Sequence, residues 1–300
     1  MQSAGATLAA VQDQFGDLIV ADSTNRVGFY YPGLQGINGG NFLSSRQLSP
    51  GLIAAICSPG SNCGQIAAPV PYLASTTANF LDLPNPLPLP ATLGDVQVMF
   101  NGSAAPLYYV SPTQISFYVP MNTSVDHDAD IQVIQKSTGR IIAAGSAPMN
   151  TYSPAILQLE FTGKLRRAAV LNQDGSINSP TNPAVRGSYI QIFATGQGFV
   201  PNAPADGVPA PSSPLLSTPF TPRININGIY VEDYPPATTD PPKDKLIAFS
   251  GLAPGEVGVW QINVWVPGNV APANQVPLII FAGSLASIDP GTYNVTISVK

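Results

Sequence analysis

The chain has 300 residues, with 12 Lys plus Arg against 17 Asp plus Glu, a formal net charge of -5 and a pI near 4.6. That balance argues against nucleic acid and anionic membrane surfaces as partners, since both need a basic face to neutralise phosphate. Gly (27) and Pro (32) argue against long helices, where they cost roughly 1 and 3 kcal/mol each relative to Ala, and no apolar run is long enough to span a bilayer.

Taken in chain order, the first segment covers residues 1–32. Its opening stretch, MQSAGATLAAVQDQFGDLIV, has no basic start and no unbroken apolar run, so it does not read as a secretion signal. DQFGDLIVADSTNRVGFYYPG predicts one strand, a turn at Asp22 to Asn25 and a second strand. This stretch resembles the final blade segment of an NHL-type β-propeller, whose blades carry the phrase Gly-x-hydrophobic-Val-Ala-Asp-x-x-Asn-x-Arg-hydrophobic. A single blade cannot bury its own face. The resemblance therefore implies a fragment of a longer protein or a strand pair docked on the first sandwich.

From residue 33 onward the same landmarks come twice. A glycine precedes an apolar strand in PGLIAAIC and in RGSYIQIFATG; a proline-rich crossing comes after each, LPNPLPLP at 83–90 and PNAPADGVPAPSSPLLSTPFTP at 201–222. Next comes a strand running into Asn-Gly, at Asn101-Gly102 and Asn227-Gly228, the strongest short hairpin signal because both residues tolerate positive φ. Then a single phrase recurs, TQISFYVP at 113–120 and WQINVWVP at 260–267. Ile115, Phe117 and Val119 align with Ile262, Val264 and Val266 as inward positions of a period-two strand; Tyr118 and Trp265, with Thr113 and Trp260, are read as outward. Further strands close each unit. Seven or so short strands per unit is the pattern of an immunoglobulin-like sandwich. The expected fold is all-β: two tandem immunoglobulin-like β-sandwich domains, 33–163 and 164–300, after a short N-terminal β-hairpin segment at 1–32. The boundary falls near 160–168, and the acidic, proline-rich insertion YVEDYPPATTDPPKDK at 230–245 is expected to project as a solvated loop.

With LPLPATLGDVQVMFNGSAAPLYYVSPTQISFYVP, VLNQDGSINSPTNPAVRGSYIQIFATGQG and GLAPGEVGVWQINVWVP quoted together, residues 36–300 resemble the uncharacterised C-terminal domain first noted in Solibacter. That family is abundant in large secreted proteins of Acidobacteria, often after NHL or other repeat arrays. The resemblance implies an extracellular or cell-surface location and supplies no catalytic residues. The chain departs from the family pattern in placing CSPGSNC at a strand end and in the 230–245 insertion.

Several constellations bear on chemistry. Cys57 and Cys63 would close a small loop if oxidised; the low charge and the Ser, Thr and Asn content favour a disulfide over a free pair, and a zinc site lacks further ligands. Asp126, Asp128 and Asp130 alternate around His127 and could offer three oxygens to calcium, but an EF-hand loop would need Gly and Glu where Ile131 and Ser137 stand. The alternative is a solvated hairpin loop. His127 is the sole histidine and no Gly-x-Ser-x-Gly elbow occurs, which leaves a serine hydrolase without support. ATGQGF at 194–199 reads as a strand-end turn rather than a nucleotide cradle. Tyr118, Trp260 and Trp265 could form an outward glycan platform or partner patch, with packing between the sandwiches as the alternative. The resulting expectation is a non-catalytic extracellular structural or interaction module, needing no cofactor unless calcium, whose partners are other domains of its polypeptide, surface proteins or glycans. A carbohydrate-binding module is the first alternative and a glycan-acting hydrolase domain the second.

Overall fold

The computed structural model describes residues 7–12, 18–22, 27–30, 33–34, 37–38, 47–57, 73–162, 165–235, 240–288 and 294–300. Three strands, β1 (Thr7–Gln12), β2 (Leu18–Asp22) and β3 (Val27–Tyr30), form an antiparallel sheet of their own in the order β1-β2-β3. The expected hairpin is β2 with β3, paired from Leu18 opposite Tyr30 to Ala21 opposite Val27. The extra strand is TLAAVQ, whose alanines carry weak β-propensity and so give little period-two signal.

The next ten strands are β4 (Gly33–Leu34), β5 (Ile37–Asn38), β6 (Ile53–Cys57), β7 (Ala78–Asn79), β8 (Val96–Phe100), β9 (Ser103–Ala105), β10 (Leu107–Val110), β11 (Gln114–Tyr118), β12 (Ala129–Gln135) and β13 (Ile141–Ala147). They build two sheets, β5-β6-β11-β10-β7 and β4-β13-β12-β8-β9. Alternation decides which side chains go inside. In β8, Val96, Val98 and Phe100 are buried while Gln97 and Met99 are half-buried; in β12, Ala129, Ile131 and Val133 are buried while Asp130 and Gln132 are exposed. These residues meet Ile115 and Phe117 of the facing sheet in one apolar core, with the Phe100 and Phe117 rings 6.0 Å apart.

The remaining strands are β14 (Ala155–Ile156), β15 (Gln158–Thr162), β16 (Leu165–Ala168), β17 (Val170–Asn172), β18 (Tyr189–Thr195), β19 (Arg223–Ile226), β20 (Ile229–Tyr230), β21 (Ile247–Leu252), β22 (Trp260–Trp265), β23 (Ala273–Ala282), β24 (Leu285–Ala286) and β25 (Asn294–Val299). They too form two sheets, β14-β18-β22-β21 with β17 on β18, and β15-β16-β25-β23-β19-β20 with β24 on β23. The second core gathers Ile190, Ile192, Ile224, Ile226, Ile262, Val264, Leu278 and Ile280. Fully burying one such side chain stabilises by about 1.5–3 kcal/mol, which is why β18 and β22 keep their inward positions at period two through Ile190, Ile192, Ile262 and Val264.

The two halves repeat one strand order in their central strands. The series β6-β11-β10 corresponds to β18-β22-β21, and β13-β12-β8-β9 to β25-β23-β19-β20. The short leading strands match as well: β4 and β16 each lie parallel to the last strand, β5 and β17 each antiparallel to the first long one. Individual bonds recur. Gly51 N–H donates to Val119 O (3.0 Å) and Gly187 N–H to Val266 O (2.8 Å); Tyr118 N–H donates to Pro106 O and Trp265 N–H to Leu246 O, both at 2.8 Å. Asn101-Gly102 and Asn227-Gly228 take positive φ at both residues (49 and 79, 54 and 83), as a two-residue hairpin turn requires.

Two expectations are corrected. The described part of the 230–245 insertion is not merely a solvated loop. Val231 and Tyr234 are buried in the second core, and the Tyr234 hydroxyl donates to Asp240 Oδ2 at 3.0 Å; residues 236–239 lie outside the described residues. The second correction concerns the aromatics of the repeated phrase: Tyr118 is 5%, Trp260 0% and Trp265 9% exposed. Trp260 shares parity with Ile262 and Val264, so it belongs to the inward face; its Nε1–H donates to Ser250 Oγ (2.9 Å) and its ring lies 5.9 Å from Phe220. Trp265 does have outward parity but is covered by Tyr189, edge-on at 5.0 Å, whose hydroxyl is tethered to Lys245 O at 2.9 Å.

Candidate functional site: the seam between the halves

The other outward aromatic, Tyr118, leads to the seam. A third apolar cluster joins Leu89, Tyr118 and Met121 of the first half to Val200, Ala210, Leu252 and Val257 of the second. Glycine at 258 is what lets the halves close. A Cβ there would stand 3.0 Å from both Tyr108 Oη and Tyr118 Cδ2 and 3.1 Å from Ile53 Cγ1, and its φ of +63 already disfavours any other residue.

Polar bonds cross the same seam. Ile53 N–H donates to Thr195 Oγ1 (3.0 Å), whose hydroxyl donates on to Gly258 O (2.9 Å), and the Tyr108 hydroxyl donates to Val257 O (2.9 Å). Met121 is held twice: its N–H donates to Asp206 Oδ1 (2.9 Å), and its sulfur accepts from Val200 N–H (3.3 Å). The two proline-rich crossings touch each other through Leu89 N–H and Gly207 O at 2.9 Å.

Burial at the seam raises both phenols. For Tyr108 desolvation dominates, with the charges of Tyr118 and Glu256 adding; for Tyr118 desolvation again leads, followed by Asp206. A raised pKa on an acid means that the folded state keeps its proton after the unfolded chain has ionised. Stability is therefore fully present below about pH 10 and falls as pH rises above it. One unit higher, each tyrosine is expected to cost about 1.4 kcal/mol. Melting curves at pH 9 and pH 11, read beside the tyrosinate absorbance of the folded chain, check this. Ionisation of both phenols near pH 10 without unfolding would contradict it.

Beside the seam opens a polar cleft of about 550 Å³, lined among others by Asn101, Asn122, Thr123, Ser124, His127, Asp130 and, from the second half, Asp206. The Asn-Gly turn braces it. Asn101 Oδ1 accepts from Asp130 N–H (2.8 Å) while Asn101 N–H donates to Asp130 O (2.9 Å), and the Thr123 hydroxyl donates to Pro120 O (2.8 Å). Carboxylates, amides, hydroxyls and an imidazole are thus presented together, the donor and acceptor set that a hydroxylated ligand uses.

No protein-family model matches the chain, and no curated protein matches it. Function has to be read from this geometry. The three aspartates proposed from sequence are divided. Asp130 and His127 line the polar cleft, whereas Asp126 lines a neighbouring one with Pro50, Met121 and Phe199, and its carboxylate accepts from Ser124 Oγ at 3.0 Å. Asp128 is exposed. Among the described residues no three Asp, Glu, His or Cys side chains are grouped to hold a metal. Cys57, buried at the end of β6, is disulfide-bonded, and Cys63 lies outside the described residues. Thr195, Asp206 and Gly258 escape a sequence reading because each acts only through a partner more than 60 residues away or in the other half. The glycines of ATGQG were the one visible signal.

Proposed function

We propose that the chain is a non-catalytic extracellular structural or interaction module: two immunoglobulin-like sandwiches fixed in tandem, serving at the C-terminal end of a larger secreted repeat protein of the Solibacter-type kind, after NHL-like blades. The seam carries this reading. A spacer or presenting arm works only if its units hold a set angle, and here apolar packing, direct hydrogen bonds and a glycine chosen for closeness all join the halves. Calorimetry tests it. Residues 33–300 are expected to unfold in one transition whose calorimetric and van't Hoff enthalpies agree; two separable transitions would sink the rigid-arm reading.

The polar cleft supports a second reading, a carbohydrate-binding module. Binding would rest on the cleft rather than on the buried aromatics, with Asn122 and His127, both exposed, at its rim. Adding millimolar neutral sugars is expected to shift the His127 and Asn122 resonances, and Asn122→Ala to weaken the shift roughly tenfold, the loss of about one well-made polar contact. Unchanged spectra across a panel of sugars would end this reading.

A further inference from the structure

Gln197 stands between two glycines held at positive φ, 84 at Gly196 and 76 at Gly198. Both press on the segment joining the halves: a Cβ would lie 1.8 Å from Ser153 O at position 196 and 2.2 Å from Thr151 O at position 198. So clamped, the loop cannot turn its middle side chain to solvent, and Gln197 is fully buried. Its carboxamide faces the Pro50–Gly51 turn of the first half, since a Cβ on Gly51 would stand 3.0 Å from Gln197 Nε2 and 2.6 Å from Met121 Cε.

Neither Oε1 nor Nε2 of Gln197 has a hydrogen-bond partner among the described residues, and neither does Ser49 Oγ, also fully buried, at the start of the same turn. Buried polar atoms in native proteins are paired, by protein or by internal water. We propose that Gln197 of the second half and Ser49 of the first enclose an internal-water site, about one or two molecules, that bridges the seam. Water suits these groups where a cation does not. It donates to Oε1 and accepts from Nε2 at once, whereas a cation can use only the oxygens and is repelled by the amide NH2. The bridge adds a further polar fastening to those that already cross the seam and, being neutral, does so at any pH between the carboxylate and phenol ranges. The inference does not depend on what the module serves.

Water-selective rotating-frame NOE spectra of the full chain test it directly. Cross-peaks of bound-water sign to the Gln197 side-chain amide protons are expected, with those protons exchanging at least tenfold more slowly than exposed glutamine amides. An amide that exchanges as fast as exposed ones, or shows no such cross-peak, overturns the site. Variants provide a second reading. Gln197→Met and Ser49→Ala are each expected to lower Tm, and their double variant to lose no more than the worse single one, because the bridge is lost once. Strictly additive losses would show that no bridge is shared. Should the variants fail to fold, the spectra of the unaltered chain still decide.

Discussion

Gly196→Ala is expected to lower Tm by on the order of 10 °C. Two costs add. At a φ of +84 any L side chain meets its own backbone, at about 1–2 kcal/mol, and a Cβ 1.8 Å from Ser153 O must push the joining segment away, an overpacking cost of about 1–3 kcal/mol. Ser153 has little room to yield, because its N–H donates to Gly196 O at 3.0 Å and its hydroxyl to Gln47 O at 2.8 Å. The same movement would pull on β14, whose Ala155 pairs with Thr195, and so on the Thr195 hydroxyl that spans the seam. Gly228→Ala separates the two costs. Its φ of +83 is nearly the same, yet nothing lies within 4 Å of its Cβ position, so only the conformational cost of about 1–2 kcal/mol applies. Equal shifts in Tm for the two variants would show that the clamp on the joining segment contributes nothing.

Wherever local pattern and burial have the same cause, the sequence reading and the structure agree. Ile115 and Phe117, or Ile262 and Val264, alternate because one face of a strand must be dry, and that constraint is written residue by residue. Asn101-Gly102 and Asn227-Gly228 are legible for a similar reason: the turn's two positive φ values are a property of those residues themselves. The equivalence of Gly51 with Gly187 is legible too, since each precedes a strand and bonds to the valine just before the proline that ends the repeated phrase, Val119 or Val266.

Outward faces are different, because their burial depends on what arrives from elsewhere. Tyr118 and Trp265 occupy equivalent outward positions, yet one is covered by the second half and the other by Tyr189 with the segment at Lys245. Nothing within a few residues of either announces its cover. An amphipathic insertion is equally hard to see: Val231 ends the short run Ile229–Tyr230–Val231 and Tyr234 stands alone between acids and prolines, too few positions to show a period. The polar cleft combines residues near 101, 122–130 and 206, and only the middle group forms a cluster in the sequence.

Trp260 is the sharpest case, and its removal is the second large effect expected. Trp260→Ala deletes a wholly buried indole from the second core, where it packs on Phe220 and donates to Ser250 Oγ. Large-to-small changes of this kind cost about 3–5 kcal/mol, the spread depending on how far the site can collapse. Collapse should be limited here. Ser250 is fixed by the Thr218 hydroxyl at 2.7 Å, and Phe220 is held by Tyr152 at 4.4 Å, so the residues around the hole have other partners to keep. Trp260→Phe separates volume from polarity: it keeps most of the packing and gives up chiefly the hydrogen bond, for about 1 kcal/mol. Urea denaturation, with the midpoint shifted at nearly constant slope, would measure both. A loss below about 0.5 kcal/mol for Trp260→Ala is what an exposed platform residue would give, and it would return Trp260 to the outer face. The ordering Ala well below Phe, and Phe modestly below the unaltered chain, is what an inward residue at the head of a core strand requires.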